Sequence, residues 1–112
     1  MEAFKIIIPA GYTVQNTEND NIDVNIVLSN GQVYYGTLFT ILNIQSLMKQ
    51  QNDLYFWAED MIIVRDLKKE TIKNAVFKII DDELLEVSFS KIGTINSVFS
   101  KEISFEKIQA TI

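Results

Sequence analysis

The chain opens with a short apolar run that is followed by a polar stretch. Residues 4–8 (FKIII) are mostly β-branched and are closed by Pro9 and Gly11, so they predict a first β-strand. Residues 15–21 (QNTENDN) are polar throughout and predict a loop. We therefore expect one strand near the N-terminus and then the longest loop of the chain, at residues 10–22.

The strongest local signal is a β-hairpin centred on Asn30 and Gly31. Residues 23–28 and 33–39 have the composition of strands, and Asn-Gly suits a two-residue type I′ turn because both central residues need positive φ. The corresponding register pairs Leu28 with Val33, Ile26 with Tyr35, and Val24 with Thr37. The face of the hairpin that carries these six residues is expected to pack in the core. The opposite face of the second strand, which carries Tyr34, is expected to be half wet or covered by a neighbour.

Two segments repeat apolar residues at helical spacing. The first helix is predicted to begin near Thr40 and to end at Asn52 and Asp53, and Asp66 is the predicted N-cap of the second. The apolar stripes are Ile41, Ile44, Leu47 and Met48 in the first helix and Ile72, Ala75, Val76, Ile79 and Ile80 in the second. The second helix ends in three acids at residues 81–83, where the helix dipole favours cations instead.

The remaining apolar runs predict further strands. Residues 54–57 and 61–64 read as two strands or one bent strand, and residues 85–89 alternate apolar and polar side chains. Residues 101–112 predict a last strand, whereas residues 91–100 are ambiguous. The order of elements predicts a single α+β domain of 112 residues, with a mainly antiparallel sheet of five to six strands and two helices on one face.

Composition removes many kinds of chemistry. The chain has no histidine and no cysteine, the side chains that supply most general bases near neutral pH, reactive thiols and zinc ligands. We therefore expect a protein that is not an enzyme and that uses no metal and no cofactor. A net charge of −5 argues against nucleic acid as a partner. No apolar run is long enough for a secretory signal or a membrane helix, so we expect a cytoplasmic protein with no membrane contact.

Two groups of side chains are candidates for binding a partner protein. Tyr34, Tyr55 and Trp57 are candidate anchors, with Glu59 and Asp60 beside them, since aromatic anchors rimmed by acids suit a basic target. Alternation along residues 55–57 sends the central Phe to one side and the other two aromatic residues to the other. Core packing is the alternative explanation for this aromatic run. The second group consists of the acids Asp81, Asp82, Glu83 and Glu86.

Other interpretations involve a cation, a small molecule or hydrolysis. The acids of residues 18–23 lack the ligand spacing and the glycine of an EF-hand, which indicates a solvated loop. A covered pocket lined by Tyr34, Gly36 and Leu38 would indicate a small-molecule-binding or regulatory domain. A hydrolase using Ser or carboxylates is disfavoured because the sequence has no nucleophile elbow and no phosphate loop.

Residues 36–48 (GTLFTILNIQSLM) and 55–64 (YFWAEDMIIV) together resemble small bacterial proteins of the toxin-immunity type. These are the proteins that accompany polymorphic or contact-dependent toxins. The resemblance implies a cognate toxin as partner and no enzymatic activity. The leading hypothesis is therefore a non-enzymatic immunity protein that neutralises a basic toxin domain, and the alternative is a domain with an apolar pocket for a small molecule.

Overall fold

The computed structural model describes residues 2–9 and 13–112 of the chain. Gly11, predicted to close the first strand, lies outside these described residues. The elements are β1 (Phe4–Ile7), β2 (Asn21–Leu28), β3 (Gln32–Thr40), α1 (Ile41–Gln51), β4 (Met61–Val64), α2 (Lys69–Asp81), α3 (Leu85–Ser88), β5 (Ser90–Thr94), α4 (Ile95–Phe99) and a 3₁₀ helix (Phe105–Lys107). The predicted α+β class is confirmed.

The sheet has five strands in the described part of the chain, and β3 lies at its centre. β1, β2, β3 and β4 are neighbours in that order, and β5 pairs with the first half of β3 on the same side as β4. The prediction of a mainly antiparallel sheet is wrong, since β3 and β4 run parallel and the sheet is mixed. The reason is that α1 carries the chain back along the sheet before β4 begins, as a crossover connection does.

The β2–β3 hairpin is confirmed, but its predicted register is wrong by one residue. Val27 pairs with Val33, and Ile26 pairs with Tyr34 instead of Tyr35. Because side chains alternate along a strand, this shift exchanges the two faces of β3 relative to the prediction. Tyr34 therefore points to the core side of the sheet.

The turn between these strands also differs from the predicted type I′ turn. It is closed by a hydrogen bond from the Gly31 N–H to the Leu28 carbonyl at 2.9 Å. Gly31 has φ +92°, whereas Asn30 is not among the residues with positive φ. A type I′ turn needs positive φ at both central residues, and here only the glycine provides it. The extra residue in the loop accounts for the shifted register.

Helix α2 covers one face of the sheet, which we call the α2 face. Tyr34 and Leu38 of β3 point to this face, and Ile72 and Val76 of α2 pack against it. The other buried members of this core are Ile6, Ile22, Val24, Ile26, Leu28, Val64, Leu67, Leu85 and Phe89. Burial of these apolar side chains is the main source of stability for the fold.

The opposite face of the sheet, which we call the C-terminal face, is covered in part. Val27 and Val33 pack there against Ile95 of α4 and against Ile108. Helices therefore lie on both faces, and the prediction of two helices on one face is wrong. The described residues contain four α-helices, because two short ones replace segments that were predicted as strand or left ambiguous.

Residues 85–89 form helix α3 and its C-cap instead of the predicted strand. Leu85 and Phe89 are buried, whereas Val87 between them is 80% exposed. Apolar residues at positions i, i+2 and i+4 satisfy a strand period, but positions i and i+4 also share one face of a helix. Packing of these two side chains on the α2 face favours the helix.

The C-terminal segment contains the 3₁₀ helix Phe105–Lys107 in place of the predicted last strand. Ile103 and Phe105 pack beside the core of the C-terminal face. The Thr111 N–H bonds to the Ile6 carbonyl at 2.8 Å, so the end of the chain lies along β1. This segment therefore joins the two ends of the chain by hydrogen bonds and apolar packing, without forming a regular strand.

Both predicted long helices are confirmed, with differences at their ends. Thr40 is the N-cap of α1, but no residue of α1 is buried, so its predicted stripe is covered only in part. The N-cap of α2 is Lys68 and not Asp66. The Asp66 carboxylate accepts the Lys68 N–H at 2.9 Å. A hydrogen bond from Thr71 and then this backbone bond lower the pKa of Asp66.

Candidate protein-binding surface

The segment between α1 and β4, residues 52–60, is an irregular loop that we call the aromatic loop. The prediction of a strand at residues 54–57 is therefore wrong. The adjacent edge of β3 is taken by β4 and β5, and the Phe56 ring packs on Phe39 over the face of the sheet. This tertiary contact outweighs the β-propensity of Tyr, Phe and Trp.

The aromatic loop is held at its start and in its middle. Asn52 adopts a left-handed conformation with φ 54°, which ends α1. The next backbone N–H, that of Asp53, bonds to the Met48 carbonyl at 3.0 Å. Four residues into the loop, Phe56 packs edge-on against Phe39 of β3, with ring centroids 5.0 Å apart. These contacts fix the course of the loop over the C-terminal face.

The end of the aromatic loop is held by Asp60 at the junction of three strands. Asp60 has φ 55°, a conformation that Asp tolerates better than most residues. Its carbonyl accepts the Thr37 N–H at 3.0 Å. Its carboxylate accepts the Ser90 hydroxyl at 2.9 Å. Asp60 thus joins β3, β4 and β5. The residue that was predicted to bind a partner therefore also stabilises the sheet.

Three large apolar side chains of the aromatic loop point into solvent. The exposed fractions of Leu54, Tyr55 and Trp57 are 101%, 75% and 73%. Phe56 between them is half-buried, so the two-sided arrangement predicted for the aromatic run is present without the strand. One exposed apolar side chain is ordinary, but several together are typical of a contact surface. We call Leu54, Tyr55 and Trp57 the apolar patch.

Acidic side chains accompany the apolar patch. Asp53, Glu59 and Asp60 lie in the loop, and residues 50–64 contain no lysine or arginine. Glu59 is exposed. The loop therefore places three acidic side chains beside the apolar patch. Such a field attracts a basic surface and repels an acidic one.

A polar row continues from Asp60 across the C-terminal face. The Thr37 hydroxyl donates to the Asp23 carboxylate at 2.7 Å. Tyr35 belongs to the same group. Its hydrogen bond with Thr37 lowers the pKa of the phenol, but burial and the nearby carboxylates of Asp23 and Asp60 raise it, and the balance is a raised pKa. The phenol stays protonated and remains a hydrogen-bond donor.

The second predicted group, Asp81, Asp82, Glu83 and Glu86, lies at the C-terminal end of α2 and in α3. Lys78 pairs with Asp82 at 3.1 Å. The hydrogen bond and charge of Asp82 raise the pKa of Lys78. Glu83 ends the helix with φ 59°, and its N–H bonds to the Ile80 carbonyl at 3.0 Å. These contacts give two of the acids a role in the helix end.

Tyr34, which was predicted to be an anchor for a partner, is buried. It is 2% exposed, so it has no area to offer a partner. Its hydroxyl lies 3.3 Å from Gln32 Oε1 and 3.3 Å from Glu86 Oε1. Burial first, and then the charge and hydrogen bond of Glu86, raise the pKa of Tyr34. Tyr34 thereby belongs to the α2 face with Glu86, whereas the aromatic loop lies on the C-terminal face.

The pocket that the sequence suggested at Tyr34, Gly36 and Leu38 is filled. All three residues are buried, and the Phe89 ring lies directly on Gly36. A different, open cleft of about 580 Å³ lies beside the start of α2. It is lined mainly by aliphatic residues, with Lys68 and Lys69 among its polar members.

Leu54 and Asp53 belong to this surface, although the sequence pattern does not predict them there. The pattern predicts a helix end at residues 52–53 and a bend at residues 58–60. No local signal separates this loop from a strand, because residues 54–58 are longer than the four-residue strands β1 and β4. The hydrogen bonds of Asp60 and the polar row depend on strand neighbours that no local pattern reveals.

The described residues bring together few groups for metal chemistry. Within residues 2–9 and 13–112, no three His, Cys, Asp or Glu side chains are placed to hold a metal ion. No helix in the same ranges combines the length and apolarity needed to cross a membrane. Comparison of the chain with protein-family models, curated proteins and solved structures gives no match.

Proposed function

We propose that this chain is a non-enzymatic protein-binding domain, and most concretely a cytoplasmic immunity protein that neutralises a bacterial toxin domain. The observation that carries the proposal is the apolar patch of Leu54, Tyr55 and Trp57, which a well-anchored loop holds in solvent. Burial of one large apolar side chain against a partner contributes about 1.5–3 kcal/mol. The sequence resemblance to immunity proteins supports the same proposal.

The charge of the aromatic loop defines the partner further. Asp53 and Glu59 would pair with lysine or arginine side chains around the substrate site of a toxin, while Trp57 fills an apolar pocket there. Long-range attraction would speed association, and the buried aromatic contact would slow release. Because Phe56 and Asp60 already fix the loop, little entropy would be lost on binding.

A second candidate function rests on the open cleft of about 580 Å³ beside α2. Its aliphatic lining includes Val14, Leu67 and Ile72, and Lys68 and Lys69 are on its border. An apolar molecule with a negatively charged end would suit this combination. We rank this function second, because the cleft contains no exposed aromatic side chain and the Lys68 N–H already has Asp66 as a partner.

The proposal is tested by affinity purification from the native host with three forms of the chain. The loop variant carries Leu54→Ala, Tyr55→Ala and Trp57→Ala. The control variant carries Val87→Ala and Ile92→Ala, two other exposed apolar residues, at 80% and 46%. A partner protein should be retained by the unmodified chain and by the control variant, and lost with the loop variant.

Toxicity of the captured protein tests the immunity part of the proposal. Expression of that protein alone should stop growth of a bacterial host, and co-expression of this chain should restore growth. Restoration should fail with the loop variant. A captured protein that binds all three forms equally would refute the proposed surface, and a captured protein without toxicity would refute the immunity role.

A further inference from the structure

Strand β4 is an open edge of the sheet. No strand pairs with the outer side of β4 in residues 2–9 and 13–112. At the opposite edge, by contrast, β1 is occupied by the chain itself, with Thr111 N–H bonded to the Ile6 carbonyl at 2.8 Å and Ile8 N–H bonded to the Thr111 hydroxyl at 2.9 Å. An open edge presents unpaired backbone donors and acceptors, which another chain can bind.

The hydrogen-bond register identifies the backbone groups that face outward. Thr37 pairs with Met61, and the Thr37 N–H bonds to the Asp60 carbonyl. In a parallel ladder a residue bonds to the two neighbours of its partner, so the backbone groups of residues 60, 62 and 64 face β3. The N–H and C=O groups of Met61 and Ile63 therefore face the open side.

A groove runs beside this edge, between β4 and α2. Its volume is about 530 Å³. It is lined by residues 62–65, which comprise the apolar end of β4 and Arg65, and by Glu70, Thr71, Asn74, Ala75 and Ile79 of α2. The Ile63 side chain, which alternates to the other side of the strand, is 53% exposed. An added strand would place alternate side chains in the groove and the others beside Ile63.

The other edge strand near this site, β5, is less suitable for the addition of a strand. β5 also pairs with β3, but its register shifts at Val33 and Tyr34. Its exposed Lys91 adds a charge to the edge. Irregular pairing and an edge lysine are features that oppose strand addition. β4 has neither, because its four residues Met61–Val64 are apolar and pair with β3 without a shift.

We propose that the open edge of β4 binds an extended, basic segment of the partner protein as an additional strand, with alternate apolar side chains in the groove against α2. This proposal rests on the proposed function, because the aromatic loop leads directly into β4. Charge selects the occupant. In the groove the charges of Arg65 and Glu70 offset each other, and the aromatic loop that leads into β4 adds Asp53, Glu59 and Asp60. A second copy of this chain would therefore be repelled, whereas a segment rich in lysine or arginine would be attracted by the loop.

Amide hydrogen exchange of the free protein is the first test. The Met61 and Ile63 N–H groups should exchange rapidly, whereas those of Ile62 and Val64, which face β3, should be protected. Equal protection of all four at low protein concentration would show that the edge is already covered and would overturn the proposal. Protection of Met61 and Ile63 that increases with protein concentration would identify a second copy as the occupant and would also overturn it.

The second test uses a displayed library of random linear peptides as the probe. Enriched peptides should alternate apolar residues with lysine or arginine, and binding of a synthetic enriched peptide should protect the Met61 and Ile63 N–H groups. Enrichment of no peptide, or of peptides that leave both exchange rates unchanged, would overturn the proposal.

Removal of single backbone donors tests the pairing directly. Ile63→Pro removes an outward N–H and should weaken peptide binding by at least about tenfold, the equivalent of one or two hydrogen bonds. Ile92→Pro on β5 is the matched control and should leave the affinity unchanged. If Ile63→Pro does not fold, N-methylation of alternate residues of the peptide makes the same test. Methylation of the residues whose N–H groups face β4 should abolish binding, whereas methylation of the residues between them should not.

Failure of this proposal can be separated from failure of the proposed function. Loss of partner binding with Trp57→Ala, together with unchanged exchange at Ile63 in the complex, would leave the aromatic loop as the binding surface and refute strand addition. Protection of Ile63 with no effect of Trp57→Ala would support strand addition and refute the role of the apolar patch.

Discussion

The aromatic ring of Phe89 lies against the backbone of Gly36 in the middle of β3. A Cβ atom added at residue 36 would lie 1.9 Å from Cδ1 of Phe89, far inside any allowed contact. Both residues are buried on the α2 face. Gly36 is therefore required by packing, and Phe89 occupies the space in which the sequence suggested a ligand pocket.

Gly36→Ala should destabilise the protein by about 1–3 kcal/mol, since the new methyl group forces the Phe89 ring or the sheet to move. The free energy of unfolding in urea measures the effect. Phe89→Leu in the Gly36→Ala background should recover part of the loss, because the two sites are coupled. Additive effects of the two substitutions would contradict the contact.

Gly31→Val should destabilise the hairpin by more than about 1 kcal/mol. No atom lies within 4 Å of a Cβ built at this residue, so the cause is the φ of +92° and not a clash. Gly31→Asn is the matched control and should cost less, because Asn tolerates positive φ better than a β-branched residue. Urea unfolding of both variants makes the comparison, and equal stabilities would contradict the turn conformation.

Trp57→Ala should leave the thermal midpoint nearly unchanged, because the side chain is 73% exposed. Phe56→Ala, one residue earlier, should lower the midpoint because it removes the edge-on contact with Phe39. Trp57 is the only tryptophan of the chain, so its fluorescence reports on it alone. Quenching by acrylamide, which is uncharged, should be nearly as efficient in the folded protein as in urea, and a protected indole would contradict the exposed patch.

Charge reversal at Asp53 and Glu59 to Lys should slow association with the partner and flatten its dependence on salt. Asp60 is left unchanged in this variant, because its carboxylate accepts the Ser90 hydroxyl and its loss would disturb the strand junction. The thermal midpoint should stay the same. Stopped-flow association rates at several salt concentrations test the prediction, and rates equal to those of the unmodified protein would place the binding surface elsewhere.

Tyr34 should make stability fall at alkaline pH. Its pKa in the folded protein is raised above the ordinary value of 10.0, so its contribution is complete below that value and is lost as pH rises through the folded pKa. Tyr34→Phe cannot ionise and should flatten this loss. Urea unfolding on both sides of pH 10.0 measures it, with Tyr35→Phe as a comparison. An alkaline loss that is unchanged in Tyr34→Phe would contradict the assignment.

Asp66 should make stability fall at acid pH. Its pKa is lowered from the ordinary value of 3.8 by the Thr71 hydrogen bond and the Lys68 N–H, so its contribution is present above that value and is lost as pH falls through the folded pKa. Asp66→Ala should be less stable at neutral pH and should lose less on acidification. Thr71→Val removes the first donor and should shift the same acid transition, which urea unfolding across the acid range detects.

Several elements were predictable because their signals are local. The alternating strands β2 and β3, the Asn30–Gly31 turn region and the helical spacing of α1 and α2 each need only neighbouring residues to specify them. The opposite directions of Phe56 and Trp57 followed from the same kind of pattern. These properties depend on backbone geometry and side-chain periodicity within one segment.

The errors arise where a segment depends on distant neighbours. One more residue in the Gly31 turn moved Tyr34 from the surface to the core, because a strand shifted by one residue reverses both faces. The spacing of Leu85 and Phe89 fits both a strand and a helix, and their packing on the α2 face favours the helix.

The sequence alone determined the α+β class, the central hairpin, the two long helices and the lack of histidine and cysteine. Only the tertiary structure decided that residues 54–57 form an exposed loop, that β4 runs parallel to β3 and that Phe89 fills the expected pocket. Strand pairing and core packing join residues far apart in the chain, so their outcome depends on which edges and spaces other segments have already occupied.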